Sequence, residues 1–222
     1  MITTRMIHFH GASGTGLALI AAVNAELRAR PADSMSAVVH EPITLPGADP
    51  LPVDQDARLL MCQVSGPLAD STAERLDALA RGFAGVRAVS HQRMSIERIT
   101  PGAPDEPGAR SEAVSWIVQY NGPAEDPPAF QAYYRSHHVP IVHRMPGIRS
   151  LNLYSPEPWT GTARLHKVNH LLIVQAVFDN LDGLLAMRNS PQRREGLQDF
   201  NNYPKFEGAV THQAMRSHRI PV

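Results

Sequence analysis

The order of secondary-structure patterns repeats in this chain, and that repeat constrains the fold more than any other feature of the sequence. Four segments of the first half have the alternation or apolar content of strands: residues 4–10, 36–40, 59–64 and 86–99. Between them, apolar residues spaced three and four apart predict two helices, one that ends at Pro31 and one that Ser71 caps. The first half is therefore predicted to have the order βαββαβ.

The second half repeats this order. Its predicted strands are residues 114–120, 149–154, 168–178 and 208–216, and its predicted helices are residues 127–145, 182–188 and 193–200. The Pro146-Gly147 pair ends the first of these helices. A segment rich in proline and glycine, residues 101–110, separates the halves, and we interpret it as a linker between residues 1–100 and residues 111–222.

A βαββαβ unit of this kind predicts a ferredoxin-like antiparallel sheet with helices on one face. The other face of such a sheet must also be buried, and two units in one chain can bury these faces against each other. We therefore expect an α+β protein in which tandem ferredoxin-like repeats form an intramolecular pseudo-dimeric α/β barrel. This architecture is also compatible with a homo-oligomer.

Composition excludes several classes of function. The 222 residues contain 21 basic and 21 acidic side chains, so we expect no binding to nucleic acid or to an anionic membrane surface. No apolar run is long enough to span a bilayer, and Cys62 is the single cysteine, so no internal disulfide can form. These features favour a cytoplasmic protein. The eleven histidines are the unusual component.

One stretch of the second half carries a family pattern. This stretch contains Phe130, the aromatic pair Tyr133-Tyr134, the pair His137-His138 and Pro140, and a Pro-Gly dipeptide follows it. Residues 188–200 form a second stretch that fits the same family pattern. This half resembles the EthD-like branch of the dimeric α/β-barrel superfamily. The resemblance implies the barrel fold but fixes the reaction poorly, because related barrels include cofactor-free isomerases, polyketide cyclases, small oxygenases and haem enzymes. Residues 1–100 share only the order of elements, so we interpret them as a degenerate copy.

The same stretch contains the candidate catalytic residues. On an ideal helix Phe130, Tyr134 and His137 share one face and His138 lies at its edge, although Pro140 is expected to kink the helix there. His138 is the position that matches the family's histidine. Its imidazole suits proton transfer near neutral pH, and the Tyr134 hydroxyl can bind a developing oxyanion. The alternative is that both side chains are simply packed.

Further candidates for binding a substrate lie on predicted strands. His8 and His10 point to the same face of the first strand, a spacing also used by metal ligands, and His138, His170 or His212 would have to supply a third ligand. We expect no metal. His170 is assigned to the face of Leu172 and Val174, with the opposite assignment nearly as good, and an aromatic pocket wall is predicted from Trp116 and Tyr120.

The glycine-rich loop at residues 11–16 follows a strand and opens a helix, which is the setting of a dinucleotide-binding turn. Its glycine spacing does not fit that motif, and we interpret it as a loop that rims the cavity. The leading hypothesis is a cofactor-independent isomerase, cyclase or lyase that acts on an oxygenated aromatic or lactone-like small molecule. A non-catalytic ligand-binding protein is the alternative, and a haem or metal oxygenase is a weaker one.

Overall fold

A computed structural model describes residues 2–11, 15–29, 35–47, 58–99, 113–159 and 166–220. The elements of the first half are β1 (Ile2–Gly11), α1 (Gly16–Arg28), β2 (Ser36–Pro42), β3 (Arg58–Ser65), α2 (Ala69–Ala80) and β4 (Val86–Arg98). Their order confirms the predicted βαββαβ pattern. The Ser71 cap was wrong: α2 begins two residues earlier, and the Ser71 hydroxyl donates a hydrogen bond to the carbonyl oxygen of Leu68.

The second half contains more elements than the pattern predicted. They are β5 (Val114–Asn121), α3 (Pro127–Tyr133), a π-helical turn (Tyr134–His138), α4 (Val139–His143), β6 (Ile148–Pro156), β7 (His166–Lys167), β8 (His170–Phe178), α5 (Leu181–Arg188), α6 (Pro191–Asp199), a 3₁₀ turn (Phe200–Asn202) and β9 (Val210–Ile220). The short β7 pairs in parallel with β4 and was not predicted. The predicted linker, residues 101–110, lies outside the described residues, as do residues 12–14 of the glycine-rich loop.

Eight strands close into a barrel. Each half has a four-stranded antiparallel sheet, β2-β3-β1-β4 in the first and β6-β8-β5-β9 in the second. β2 pairs with β9 and β4 pairs with β6, so each half supplies the partners for the edge strands of the other. The tandem ferredoxin-like repeat and its closure into one α/β barrel are thereby confirmed.

Side chains along each strand of the sheet point alternately to the inner and the outer face of the barrel. The inner face holds an apolar cluster from both halves, Met6, Met61, Met94, Ile117, Tyr154, Ile173 and Met215. The outer faces pack against the helices in two separate clusters, one for each half. Cys62 belongs to the first-half cluster, where burial raises the pKa of its thiol.

A chain of buried polar side chains crosses the barrel interior. Nδ1 of His40 lies 2.8 Å from Oγ of Ser217, which lies 2.8 Å from Oγ of Ser115. The amide of Gln175 donates to that Ser115 oxygen at 2.8 Å, and its own carbonyl oxygen accepts from the Tyr154 hydroxyl at 2.6 Å. The chain therefore joins a strand of the first half to all four barrel strands of the second. Buried polar groups of this kind stabilise a fold only when their partners are present.

None of the described helices is long and apolar enough to cross a membrane.

The Tyr154 hydroxyl gives a test of this internal network. It lies within hydrogen-bond distance of two buried glutamine oxygens, 2.6 Å from Gln175 and 3.1 Å from Gln63. Tyr154→Phe leaves those oxygens without this donor, so we expect the free energy of unfolding in urea to fall by about 1–3 kcal/mol. Ser71→Ala is the control, since the Ser71 hydroxyl donates its hydrogen bond at an exposed position. Equal losses in the two variants would contradict the role of the interior chain.

Buried histidines predict that acid destabilises the protein. Burial lowers the pKa of His40 to about 3, whereas in the unfolded chain it titrates near ~6.5. Between these values the unfolded state binds the proton and the folded state does not. The contribution of neutral His40 to the free energy of unfolding is therefore fully present above pH ~6.5. It falls as the pH falls toward 3, by up to ~1.4 kcal/mol per pH unit for each such histidine.

His40→Gln should make the fall in unfolding free energy between pH 7 and pH 5 shallower. His137→Gln, at an exposed histidine, is the control. Urea denaturation at several pH values measures both slopes, and an unchanged slope in His40→Gln would show that His40 does not titrate on unfolding.

Candidate active site

A cavity of about 420 Å³ lies between the outer face of the second-half sheet and the helices that cover it. Its floor on the sheet includes Trp116, Val118, Tyr120, Val174 and His212. Its opposite wall includes Tyr134, His138, Met145, Arg193, Gly196 and Tyr203. The lining is mainly apolar and aromatic with a few polar groups, which is the character of a small-molecule site.

The π-helical turn decides which side chains of the helix reach this cavity. Pro140 has no N–H, so the regular hydrogen bond to the carbonyl of Ser136 cannot form, and the amide of Val139 instead donates to the carbonyl of Tyr134, five residues back. This turn holds more residues than an α-helical turn. As a result Tyr134 and His138 are buried on the cavity side, whereas His137 is exposed on the surface.

His138 is held by a carboxylate. Its Nδ1 lies 2.8 Å from Oδ2 of Asp199, and Oδ1 of Asp199 accepts a hydrogen bond from the Tyr133 hydroxyl at 2.9 Å. A carboxylate only accepts, so Nδ1 carries the proton and Nε2 keeps its lone pair. Burial lowers the pKa of His138, and the bond to Asp199 partly opposes that shift. At neutral pH the ring is therefore an uncharged base.

Space beside this ring depends on Gly196. A methyl group at that position would lie 3.3 Å from Cε1 and 3.8 Å from Nε2 of His138, and 3.4 Å from the terminal methyl of Met145. The glycine thus keeps the cavity open next to the unprotonated edge of the imidazole.

Three tyrosines lie close together in the cavity, Tyr120 on its floor and Tyr134 and Tyr203 on the opposite wall. The ring centroids of Tyr120 and Tyr134 are 5.5 Å apart, and those of Tyr120 and Tyr203 are 5.8 Å apart. Burial raises the pKa of Tyr120 to about 12 and raises the pKa of Tyr134 well above its usual value. Their hydroxyls stay protonated at neutral pH and can donate hydrogen bonds to a substrate oxygen.

The remaining residues predicted for substrate binding lie in different places. Trp116 and Tyr120 line the cavity as expected. Phe130 is fully buried behind the wall, against Tyr120 and Phe206, and is not a lining residue. His137 stacks on Tyr133 at 4.3 Å, outside the cavity, so its expected contact with a substrate is not supported by its position.

The histidines of the first strand are also away from the cavity. The strand register places His8 and His10 on the inner face of the barrel, and the His8 ring lies 5.3 Å from that of His170. His170 does not share the face of Val174, because a bulge between Tyr120 and Asn121 shifts the register. Its Nδ1 lies 2.7 Å from Oδ1 of Asn121. In the described part of the chain, no three side chains of His, Cys, Asp or Glu cluster as metal ligands.

Sequence reasoning missed two groups of the site. Asp199 lies 61 residues from His138, at the end of α6, and nothing in the local pattern relates the two. Arg193 reaches the cavity from the first turn of the same helix, where charged residues are usually solvated. Only their shared position on α6 brings them to His138.

Comparison with known proteins agrees with the fold and the family pattern. Over its whole length the chain is 12% identical to an anthrone oxidase-like protein, with a TM-score of 0.66 and 94% of that protein covered. A candidate monooxygenase from Fusobacterium nucleatum is 8% identical, with a TM-score of 0.58 over 97% of this chain and 92% of that one. A second, from Lactobacillus acidophilus, is 10% identical, with a TM-score of 0.54 over 97% and 93%.

These likenesses show a shared dimeric α/β-barrel fold. A search of curated proteins found no significant match. The EthD domain model matches residues 122–203, which include the π-helical turn, Asp199 and most of the helices over the cavity. The second half of this chain therefore matches the EthD domain family, as the pattern around His138 predicted.

Proposed function

We propose that this protein is a small-molecule enzyme in which His138 removes a proton from a carbon atom next to a carbonyl group of an oxygenated aromatic substrate. The observation that carries the proposal is the bond between Nδ1 of His138 and Asp199, in a ring that lines an aromatic cavity. It supplies an uncharged base whose orientation is fixed.

The first step breaks the C–H bond and forms an N–H bond at Nε2 of His138. The electron pair of the C–H bond moves to the carbonyl oxygen and gives an enolate, while the imidazolium is stabilised by Asp199. Tyr134, whose ring centroid lies 4.9 Å from that of His138, donates a hydrogen bond to the enolate oxygen. If the proton returns to another carbon atom, the enzyme is an isomerase. If the enolate carbon attacks a second carbonyl group of the substrate, it is a cyclase, and if the enolate expels a leaving group, it is a lyase.

One of the similar solved structures suggests an aromatic ketone as the substrate class. Anthrones are tricyclic aromatic ketones with an acidic CH₂ group, and one relative is described as anthrone oxidase-like. The same proton removal would begin an oxidation. Oxygen consumption during turnover distinguishes that outcome from a reaction without oxygen, and a visible spectrum with metal analysis tests the haem or metal oxygenase hypothesis.

A non-catalytic ligand-binding protein would use the same cavity without turnover. Exchange of acidic carbon-bound protons for deuterium separates the two functions, since it requires only the first step and no knowledge of the product. Anthrone and related aromatic ketones in D₂O, followed by NMR, provide the assay. Binding of these ketones without faster exchange across the panel would favour the binding protein.

His138→Ala removes the proposed base. Positioned acid–base groups contribute roughly 10²–10⁴ in rate, so we expect the exchange rate to fall by about that factor while the protein stays folded. His137→Ala is the matched control, one residue away and outside the cavity. An exchange rate near that of the wild type in His138→Ala would contradict the proposal.

Asp199→Asn tests the orienting role of the carboxylate. Its bond and its charge raise the pKa of His138, so the variant should move the rising limb of the pH–rate profile to lower pH. The maximal rate should also fall, by about 10²-fold, because the imidazole loses its fixed orientation. A profile with an unshifted limb and an unchanged maximum would show that Asp199 has no influence on the base.

A further inference from the structure

The proposed proton transfer leaves two basic side chains of the cavity unused. His212 extends from β9 beside Val118, with its ring 5.5 Å from that of Trp116. It is 5% exposed, and its Nδ1 is buried with no hydrogen-bond partner among the described residues. That nitrogen has almost no accessible surface, so a ligand in the cavity would bond to the other ring nitrogen, Nε2, of this lining residue.

Arg193 brings a permanent positive charge to the same space. It lies at the start of α6 and lines the cavity with His138 and His212. Burial lowers the pKa of His212 to about 3, and the nearby charge of Arg193 adds to that shift. The two imidazoles are therefore neutral beside a cation.

Other charges near the cavity do not change this picture. Asp199 lies behind His138, where its two oxygens accept from His138 and Tyr133. Lys205 is exposed and lies at the rim, on the segment that follows Tyr203. Arg193, in contrast to Lys205, is partly buried.

We infer that Arg193 and His212 form a subsite for an anionic oxygen of the substrate, a phenolate, an enolate or a carboxylate on an aromatic skeleton. Arg193 supplies the charge and His212 a hydrogen bond, and the mainly apolar lining of the cavity strengthens a charged hydrogen bond. The inference names the substrate class of the proposed enzyme and in that sense rests on it. The recognition step itself requires no turnover.

Binding of nitroaromatic probes tests the subsite. 4-Nitrophenol absorbs visible light only as its phenolate, 4-nitrobenzoate carries a carboxylate, and 4-nitroanisole has the same ring without an acidic oxygen. We expect the wild type to bind at least one of the two anions roughly tenfold or more tightly than 4-nitroanisole. The pair of anions also shows whether a phenolate or a carboxylate is preferred, and a phenolate preference would appear as an increased visible absorption of bound 4-nitrophenol.

Arg193→Met should abolish this preference, measured within the variant as the ratio of its affinities for the anions and for 4-nitroanisole, and circular dichroism checks that the variant is folded. Arg193→Lys should retain part of it. Arg194→Met is the matched control, since Arg194 is the exposed next residue of α6 and does not line the cavity. His212→Phe should reduce the preference by a smaller factor, because it removes a hydrogen bond and not the charge.

The outcomes separate this inference from the proposed function. Equal binding of anions and 4-nitroanisole by the wild type, or a preference that survives Arg193→Met, overturns the subsite. A preference lost in Lys205→Met and kept in Arg193→Met would assign the anion to the rim and likewise overturns it. An anion preference that depends on Arg193, together with no effect of His138→Ala on proton exchange, would support the subsite and refute the proposed enzyme.

Discussion

The closure of the barrel by two strand pairs is the constraint on which the rest of the structure depends. A four-stranded ferredoxin-like sheet has two edge strands with unpaired backbone groups and one face without helices. Pairing of β2 with β9 and of β4 with β6 provides backbone hydrogen-bond partners for all four edge strands. The interior then contains side chains from both halves, so neither sheet can move without breaking contacts of the other.

In the closed barrel, the cavity lies on the outer face of the second-half sheet. The interior is filled by methionines and by the polar chain from His40 to Gln175, which leaves the space beneath the helices for a ligand. In the first half, apolar side chains such as Phe9, Leu19 and Leu76 fill this space. In the second half the segment between β8 and β9 forms α5, α6 and a 3₁₀ turn, and the cavity lies beneath them.

The residues of the EthD pattern therefore form one wall of the cavity. Pro140 follows directly after the π-helical turn, the turn orients Tyr134 and His138, and Asp199 from α6 holds the imidazole. The opposite side of the same cavity contributes His212 from β9 and brings it near Arg193. His138, Arg193 and His212 thus line the same cavity, although they come from segments that are far apart in the sequence.

The sequence by itself determined the order of elements and the family pattern around His138, because each depends on local periodicity or on a short motif. It also indicated that Pro140 disturbs the helix. The tertiary structure alone decided that His138 and not His137 faces the cavity, since this depends on an i to i+5 bond that an ideal helical projection lacks. It also brought Asp199 and Arg193 to the cavity of His138, because contacts over a long sequence separation leave no periodic signal in the chain. It placed His170 on the inner face, because a bulge between Tyr120 and Asn121 shifts the strand register.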